Sequence, residues 1–208
     1  MNHDRHDEDE HRIPEIAITG DLTEHESELT DRLLDIEPGG QCTLYFDSPG
    51  GSPYCAVSLM TLIRLRGLRA TGIVTGECSS AALWPFAACE RRFVSPFSVL
   101  LFHPMKWQSE ENVGLAEAAE WARHFGQLEK DMDALLADLF GVSRDMMHSW
   151  INPGKYISGA ELAGAGLAEL ISAADLVKPS GIFHILSSDS PNGELLPATS
   201  KPKLRKAP

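Results

Sequence analysis

The sequence predicts a single α/β domain built on a mostly parallel sheet. Strand-like and helix-like segments alternate along the chain, and 208 residues suffice for one domain with a full core. A hydrophobic content of 43% and a charged content of 23% are those of an ordinary globular protein. Parallel neighbours need a long return connection, so this alternation favours parallel pairing with right-handed crossovers.

The first half of the chain repeats a strand, a turn and a helix. Strands are predicted at 15–19, 42–46 and 71–75 from their short apolar and β-branched runs. Thr23 and Glu26 match a capping box for the first helix, whereas Ser52 caps the second and Pro53 suits its first turn. The third strand leads through a tight connection, 76–80, into a helix of small and apolar residues, 81–88.

The second half contains two short strands followed by helices. The strands are predicted at 93–94 and 99–102, and the latter ends at His103. Apolar residues at intervals of three or four predict a long helix between about 109 and 141. Ser143 can cap a short helix, Ser158 and Glu161 form another capping box, and 167–171 can close the sheet.

Charge and composition exclude several classes of function. A net charge of -12 repels phosphate backbones, so we expect no nucleic-acid partner. Apolar runs are too short to cross a bilayer and the N-terminus is polar, so we expect a cytoplasmic protein without membrane contact. The four cysteines lack CxxC spacing, which favours reduced core thiols and no metal.

Both ends of the chain have the composition of tails. Residues 1–12 are acidic and rich in histidine, and such tracts are more often disordered than bound to a divalent ion. Residues 179–208 turn to Ser, Pro, Lys and Asn and predict a flexible tail. The domain is therefore expected to span 13–178.

Three strand ends carry residues suited to nucleophilic catalysis. Ser80 lies in a sharp turn before a helix, where its hydroxyl can project, and His103 can serve as its general base. Gly50 and Gly51 leave the backbone bare, so the N–H groups of Gly51 and Ala81 can form an oxyanion hole. Each feature alone has an ordinary alternative. Ser80 can cap a helix, His103 can be a packed residue, and the two glycines can form a simple turn.

Together these segments resemble those of the Clp protease proteolytic subunit. The resemblance lies in three blocks, in order: Asp47-Ser48-Pro49-Gly50-Gly51, Gly76-Glu77-Cys78-Ser79-Ser80-Ala81-Ala82 and Phe102-His103-Pro104. In the nucleophile turn the family's serine comes four residues after its glycine, which selects Ser80 over Ser79. The likeness runs from about Ile16 to Ile171.

The resemblance implies a ClpP/crotonase-like fold, a spiral of repeated strand-strand-helix units in a single domain with a long handle helix. It also implies an extended peptide or unfolded-protein substrate and a homo-oligomeric ring, which can pair into a double ring through the handle. An AAA+ ATPase partner feeds such rings. This sequence has no Gly-x-x-x-x-Gly-Lys-Ser/Thr loop, so no nucleotide cofactor is expected here and ATP hydrolysis would belong to another polypeptide.

One catalytic position departs from the family pattern. Gly154 stands where the family has its aspartate, counting back from Tyr156-Ile157-Ser158. We consider Asn152 as the orienting group, because cysteine proteases use asparagine in that role. Asp145 and Asp175 are further candidates, and a dyad without a third member is the remaining one.

Three functions are consistent with this sequence. The first is a serine endopeptidase of the Clp type with an atypical third triad position. The second is a catalytically weak or inactive ring subunit with a structural or regulatory role, suggested by Gly154. The third is a crotonase-like enzyme acting on acyl-CoA thioesters, since bare backbone donors stabilise enolates equally well.

Overall fold

The computed structural model describes residues 13–108 and 112–177 of the chain. In these ranges seven strands lie at Glu15–Asp21 (β1), Gln41–Gly50 (β2), Arg69–Cys78 (β3), Arg91–Val94 (β4), Val99–Phe102 (β5), Lys155–Ser158 (β6) and Glu169–Leu170 (β7). The helices in these ranges are Leu22–Leu34 (α1), Pro53–Leu65 (α2), Leu83–Ala88 (α3), Leu115–Phe140 (α4), Arg144–Ile151 (α5), Gly159–Gly164 (α6) and Ala173–Val177 (α7), with a 3-10 turn at Ser80–Ala82 before α3. The predicted tails, 1–12 and 179–208, fall outside the described residues.

The main sheet is parallel, as the alternation of elements predicts. Its order is β1-β2-β3-β4-β7, and every neighbouring pair runs in the same direction. β5 leaves this order, since it pairs in parallel with the end of β3 and antiparallel with β6. β6 and α7 were not predicted from the sequence, because each is too short to show a periodicity.

The sheet brings the ends of β2 and β3 together and places the start of β5 beside the end of β3. Ser48 near the end of β2 lies opposite Cys78 at the end of β3. Glu77, one residue earlier, lies opposite Val99 at the start of β5. The three predicted motifs therefore leave their strands at one edge of the molecule.

Aromatic rings hold the centre of the core together beneath this edge. Phe46, Phe86 and Phe102 are fully buried. The Phe46 and Phe86 rings meet edge to face with centroids 5.4 Å apart, and Phe102 meets Trp150 at 5.1 Å. Burying each such ring contributes on the order of 2–3 kcal/mol, so the strand ends rest on a well-packed floor.

The helix starts follow local sequence signals, with one correction. Ser52 caps α2 by accepting from the Tyr54 N–H, with Pro53 at the first helical position, as predicted. The cap of α1 is Asp21 rather than Thr23, because the Asp21 carboxylate accepts from the Thr23 N–H at 2.8 Å. A carboxylate at the residue before the helix satisfies one of the orphan N–H donors of its first turn.

The handle helix α4 packs on the core only through its second half. Met132, Leu136, Ala137 and Phe140 are buried, whereas Leu115 is 89% exposed. The predicted apolar stripe therefore continues beyond the subunit's own core. Gly141 ends the helix in the left-handed conformation at φ 72°. No helix in the described ranges combines the length and apolar character needed to span a bilayer.

Candidate active site

The turn after β3 holds Ser80 in an unusual backbone conformation. Ser80 has a φ of 54°, which is rare for a residue with a side chain and typical of nucleophiles held on a sharp strand-to-helix turn. Its side chain is half-buried and lines a cavity of about 120 Å³. The neighbouring Ser79 is buried, and its hydroxyl accepts from the Leu101 N–H of β5 at 3.1 Å. Ser79 thus ties the turn to β5 while Ser80 faces the cavity.

The diglycine bend after β2 packs directly against this turn. Gly50 has a φ of 107°, and a Cβ there would lie 2.8 Å from the Ser80 Cβ and 2.9 Å from the Ala81 nitrogen. Gly51 has a φ of 147°. The bend is held from below by Ser48, whose hydroxyl accepts from the Gly50 N–H at 3.1 Å and whose carbonyl accepts from the Ser79 N–H at 3.0 Å. Only glycine allows this close approach.

Two backbone donors beside Ser80 have no acceptor within the described residues. They are the N–H groups of Gly51 and Ala81, and both residues line the cavity that contains Ser80. Unpaired amides near a nucleophile can donate to the oxygen of a tetrahedral intermediate. The oxyanion hole expected at these two amides stays a prediction, with which their position beside Ser80 is compatible.

His103 reaches the same cavity from the end of β5. Its Nδ1 lies 2.6 Å from the carbonyl oxygen of Pro104. Because a carbonyl can only accept, Nδ1 carries the proton in this contact. The lone pair of the neutral ring is then on Nε2, which is the atom that a general base in this position needs.

The loop that carries His103 and Pro104 is anchored to the handle helix. The N–H of Met105 donates to the carboxylate of Glu129 on α4 at 2.6 Å. Phe102, just before His103, is fully buried against Trp150 and Phe140. The residues before and after His103 in the chain are therefore both anchored, which restricts where its imidazole can lie.

The expected contact between Asn152 and His103 is not made in this structure. The Nδ1 of His103 contacts the Pro104 carbonyl instead, and Asn152 lines a different, larger cavity of about 450 Å³. Gly154 does lie beside His103, since a Cβ there would be 3.3 Å from the His103 Cβ. A glycine therefore lies next to the imidazole at the position where the sequence resemblance predicts an aspartate.

The two other acidic candidates lie away from the imidazole. Asp145 lines the larger cavity from α5. The Asp175 carboxylate accepts from the hydroxyl of Ser172 at 2.6 Å, at the start of α7. Neither residue lines the cavity that holds Ser80 and His103.

Two groups at the site were not predicted from the sequence. The Pro104 carbonyl is a backbone atom, which no pattern of side chains reveals. Asp133 lines both cavities from α4 and interrupts the buried face between Met132 and Leu136. The sequence did contain one indication of Asp133, because its carboxylate lies between apolar positions of the predicted long helix.

Buried thiols do not compete with Ser80 as nucleophiles. All four cysteines are buried and unpaired, as expected of core residues. Burial raises the pKa of Cys42 and Cys55 to about 11. Burial also raises the pKa of Cys78, two residues before Ser80, well above its usual range. These thiols stay protonated at neutral pH and are weak nucleophiles.

Comparison with known proteins agrees with this geometry. No protein-family model matches the chain. Two relatives from strains of Bacteroides fragilis, both named ATP-dependent Clp protease proteolytic subunit, are 27% identical over 115 residues. That match covers 54% of this chain and 55% or 51% of the relative, so the chain spans about half the length of the curated relatives it matches.

A solved structure matches over a larger share of the chain. It is a ClpP1 mutant from Listeria monocytogenes, with a TM-score of 0.67 at 19% identity. The superposition covers 79% of this chain and 94% of that one. The fold is therefore that of Clp protease proteolytic subunits, including the long handle helix. Together with the sequence matches, this confirms the resemblance predicted from the three blocks: the chain is similar to Clp protease proteolytic subunits in sequence and shares their fold.

Proposed function

We propose that this chain is a serine endopeptidase of the Clp type, which hydrolyses peptide bonds of peptides or unfolded proteins. One observation carries the proposal: Ser80, His103 and two unpaired backbone N–H groups line a single cavity. A nucleophile, a base with its lone pair on the correct nitrogen and an oxyanion site are the parts that amide hydrolysis requires.

The reaction would proceed through an acyl-enzyme. The Ser80 Oγ attacks the substrate carbonyl while His103 Nε2 takes its proton, and the resulting oxyanion accepts from Gly51 and Ala81. His103 then returns the proton to the leaving amine as the C–N bond breaks. A water molecule then attacks the acyl-enzyme with His103 as its base, and the carboxylic acid product is released as Ser80 regains its proton.

The Pro104 carbonyl would take over part of the role of an aspartate. It fixes the tautomer of His103, which is the main contribution lost when a triad aspartate becomes asparagine. A neutral carbonyl stabilises the imidazolium less than a carboxylate does, so we expect slower turnover than in an enzyme with a full triad.

We further propose that the chain works in the cytoplasm as a homo-oligomeric ring, or as two rings joined through the handle, with an ATPase partner supplying unfolded protein. The fold likeness to ClpP and the exposed Leu115 at the start of α4 support this assembly.

A non-catalytic ring subunit is the second candidate. Gly154 in place of a carboxylate favours it, and so does the structure around Ser80, where the hydroxyl makes no hydrogen bond to His103 in the described part of the chain. Apo sites often hold such contacts too long for a bond, which is why the first candidate is preferred.

Labelling with a fluorophosphonate probe tests the proposal. We expect the wild-type protein to be labelled and to cleave unfolded casein, Ser80→Ala to lose both, and His103→Ala to lose about three orders of magnitude in rate or more. Ser149→Ala, an exposed serine on α5, is the matched control and should label normally. Absence of labelling in a folded oligomer would instead favour the non-catalytic subunit.

A further inference from the structure

The cavity beside Ser80 is apolar except at a few points. Its volume of about 120 Å³ can hold several waters or one aliphatic side chain. The apolar part of the wall consists of Leu83, Trp84, Phe102, Met105, Leu136 and Ile151. Away from Ser80 and His103, the charged side chains in the wall are Asp133 from α4 and Lys106 from the loop after β5.

Asp133 is a half-buried carboxylate in the wall of this cavity. Within the described residues it makes no hydrogen bond and no ion pair, although its neighbour Asp131 accepts from Gln127. Burial, followed by the negative charge of Glu129, raises the pKa of Asp133 to about 6, while His148 acts in the opposite direction. An unpaired carboxylate in such a position is costly, and a bound cation would relieve that cost.

We propose that Asp133 selects a basic side chain, lysine or arginine, on the substrate residue whose carbonyl Ser80 attacks. This inference rests on the proposed function, because Ser80 defines which substrate residue lies next to the cavity. The aliphatic stem of such a side chain packs against the apolar wall, and its cationic end reaches the carboxylate. An uncharged side chain of equal length makes the same contacts with the apolar wall but provides no cation for the Asp133 carboxylate.

Other charged groups around Asp133 set the pH range of this preference. They are Glu129 and Lys130 on α4, Arg144, Asp145 and His148 on α5, and His103 and Lys106 from the loop after β5. Lys106 is exposed and forms no ion pair with Asp133, so the carboxylate is left for a substrate cation. Above pH 7 Asp133 is ionised and the preference is complete, whereas protonation below about pH 6 removes it.

Peptide binding to the full-length Ser80→Ala variant tests the inference without requiring catalysis. Two fluorescent peptide amides would be compared by anisotropy at pH 8, one ending in lysine and one in norleucine. We expect lysine to bind at least about tenfold more tightly, in line with hydrogen bonds to charged groups. The ratio should fall towards one when Asp133→Asn is added, and should persist with Asp131→Asn, a matched charge change on the exposed side of the same helix.

The pH dependence supplies a second measurement that requires no substitution at Asp133. The preference of the Ser80→Ala variant for lysine should shrink from pH 8 to pH 5, even if Asp133→Asn folds poorly. Equal affinities at pH 8, no binding of either peptide, or a ratio unchanged by Asp133→Asn would each overturn the inference. Fluorophosphonate labelling of the wild-type protein fails or succeeds independently of these results, so the proposed function is tested separately.

Discussion

A backbone carbonyl holds the imidazole of His103 in this protein. The Pro104 oxygen lies 2.6 Å from Nδ1 and is fixed by a chain that Glu129 anchors at Met105. A carbonyl in this position directs the proton to Nδ1 as an aspartate would, but it contributes a dipole instead of a charge. The residue that replaces the family's aspartate can therefore be glycine without leaving the ring free to turn.

The Asn152→Ala variant tests whether the Pro104 carbonyl or the Asn152 side chain orients the imidazole of His103. We predict that the fluorophosphonate labelling rate changes by no more than about twofold, because the Asn152 side chain does not contact the imidazole. Nitrogen chemical shifts of His103 should report a proton on Nδ1 in both proteins. A loss of a hundredfold or more, together with a change of tautomer, would restore Asn152 as the orienting group.

Asp133→Asn should stabilise the protein at pH 8. Because burial raises the folded pKa of Asp133 from 3.8 to about 6, the folded state binds the proton more tightly than the unfolded chain does. Stability from this group is therefore lost as the pH rises between those values. We expect a gain of about 1 kcal/mol in the free energy of unfolding at pH 8, a value reduced for solvent screening.

Urea unfolding at pH 8 and at a pH well below the unfolded pKa of 3.8 measures this gain. The difference from wild type should vanish at the lower pH, where both states hold the proton, and Asp131→Asn should show no comparable change. A lower stability of Asp133→Asn at pH 8 would mean that the carboxylate has a favourable partner. A residue that costs stability beside a nucleophile is typical of a functional position.

Gly50→Ala should be far more damaging than an ordinary glycine substitution. The new Cβ would lie under 3 Å from atoms of Ser79, Ser80 and Ala81, so the nucleophile turn must shift. We expect a loss of about 2–4 kcal/mol in unfolding free energy from overpacking and backbone strain, and a marked fall in labelling rate.

Gly39→Ala is its matched control, because Gly39 also has a positive φ of 76° but open space around the position of a Cβ. It should cost about 1 kcal/mol and leave labelling unchanged. Equal losses for the two variants would show that the diglycine bend does not constrain Ser80.

Between elements, one side-chain hydrogen bond links the nucleophile turn to the strand that carries the base. The Ser79 hydroxyl accepts from the Leu101 N–H, two residues before His103. This bond ties the turn after β3 to β5, the two elements from which Ser80 and His103 reach the same cavity. From the sequence alone, Ser79 was a candidate helix cap and was rejected as the nucleophile.

Ser79→Ala should therefore affect both stability and activity. It leaves the Leu101 N–H unpaired, which costs about 1–3 kcal/mol in unfolding free energy, and it loosens the site. We expect slower fluorophosphonate labelling with Ser80 still the labelled residue, as mass spectrometry of the labelled peptide would report. Ser149→Ala should stay within about 0.5 kcal/mol of wild type. Normal stability and labelling of Ser79→Ala would show that β5 is positioned without this bond.

Element boundaries were predictable where a local signal exists. β5 lies at the predicted 99–102, and Ser52, Ser143 and Ser158 cap α2, α5 and α6 as expected. β6 was missed because its four residues acquire strand character only by pairing with β5. Such pairing is a tertiary contact that no window of sequence contains.

For the molecule as a whole, the sequence predicted which strand ends meet but not everything that surrounds them. Ser80, His103 and the two glycines were identifiable because their chemistry depends on side-chain type and on glycine. Pro104 and Asp133 were not, since one acts through its backbone and the other through a cavity formed only when α4 docks. Parallel pairing follows from the alternation of elements, while the departure of β5 from the sheet order requires the three-dimensional structure.

Exposed apolar side chains lie at and near the start of the handle helix. Leu115 is 89% exposed, and Trp107, 44% exposed, stacks on Phe125 and meets Trp121. Apolar surface of this kind at the end of a projecting helix is typical of an interface. In the proposed double ring, a second copy would cover it.

Leu115→Lys should then split the assembly without unfolding the subunit. Because Leu115 makes little contact with its own core, we expect the unfolding midpoint of the subunit to change little, within about 0.5 kcal/mol. The mass measured by light scattering should fall to half, since a lysine placed in an apolar interface must lose its hydration. Leu65→Lys, an 83% exposed position at the end of α2 outside the handle, should leave the mass unchanged. Two results would contradict pairing through the handle. One is a wild-type protein that is monomeric at assay concentration. The other is a Leu115→Lys assembly of undiminished mass, because the charge could not then lie between two copies.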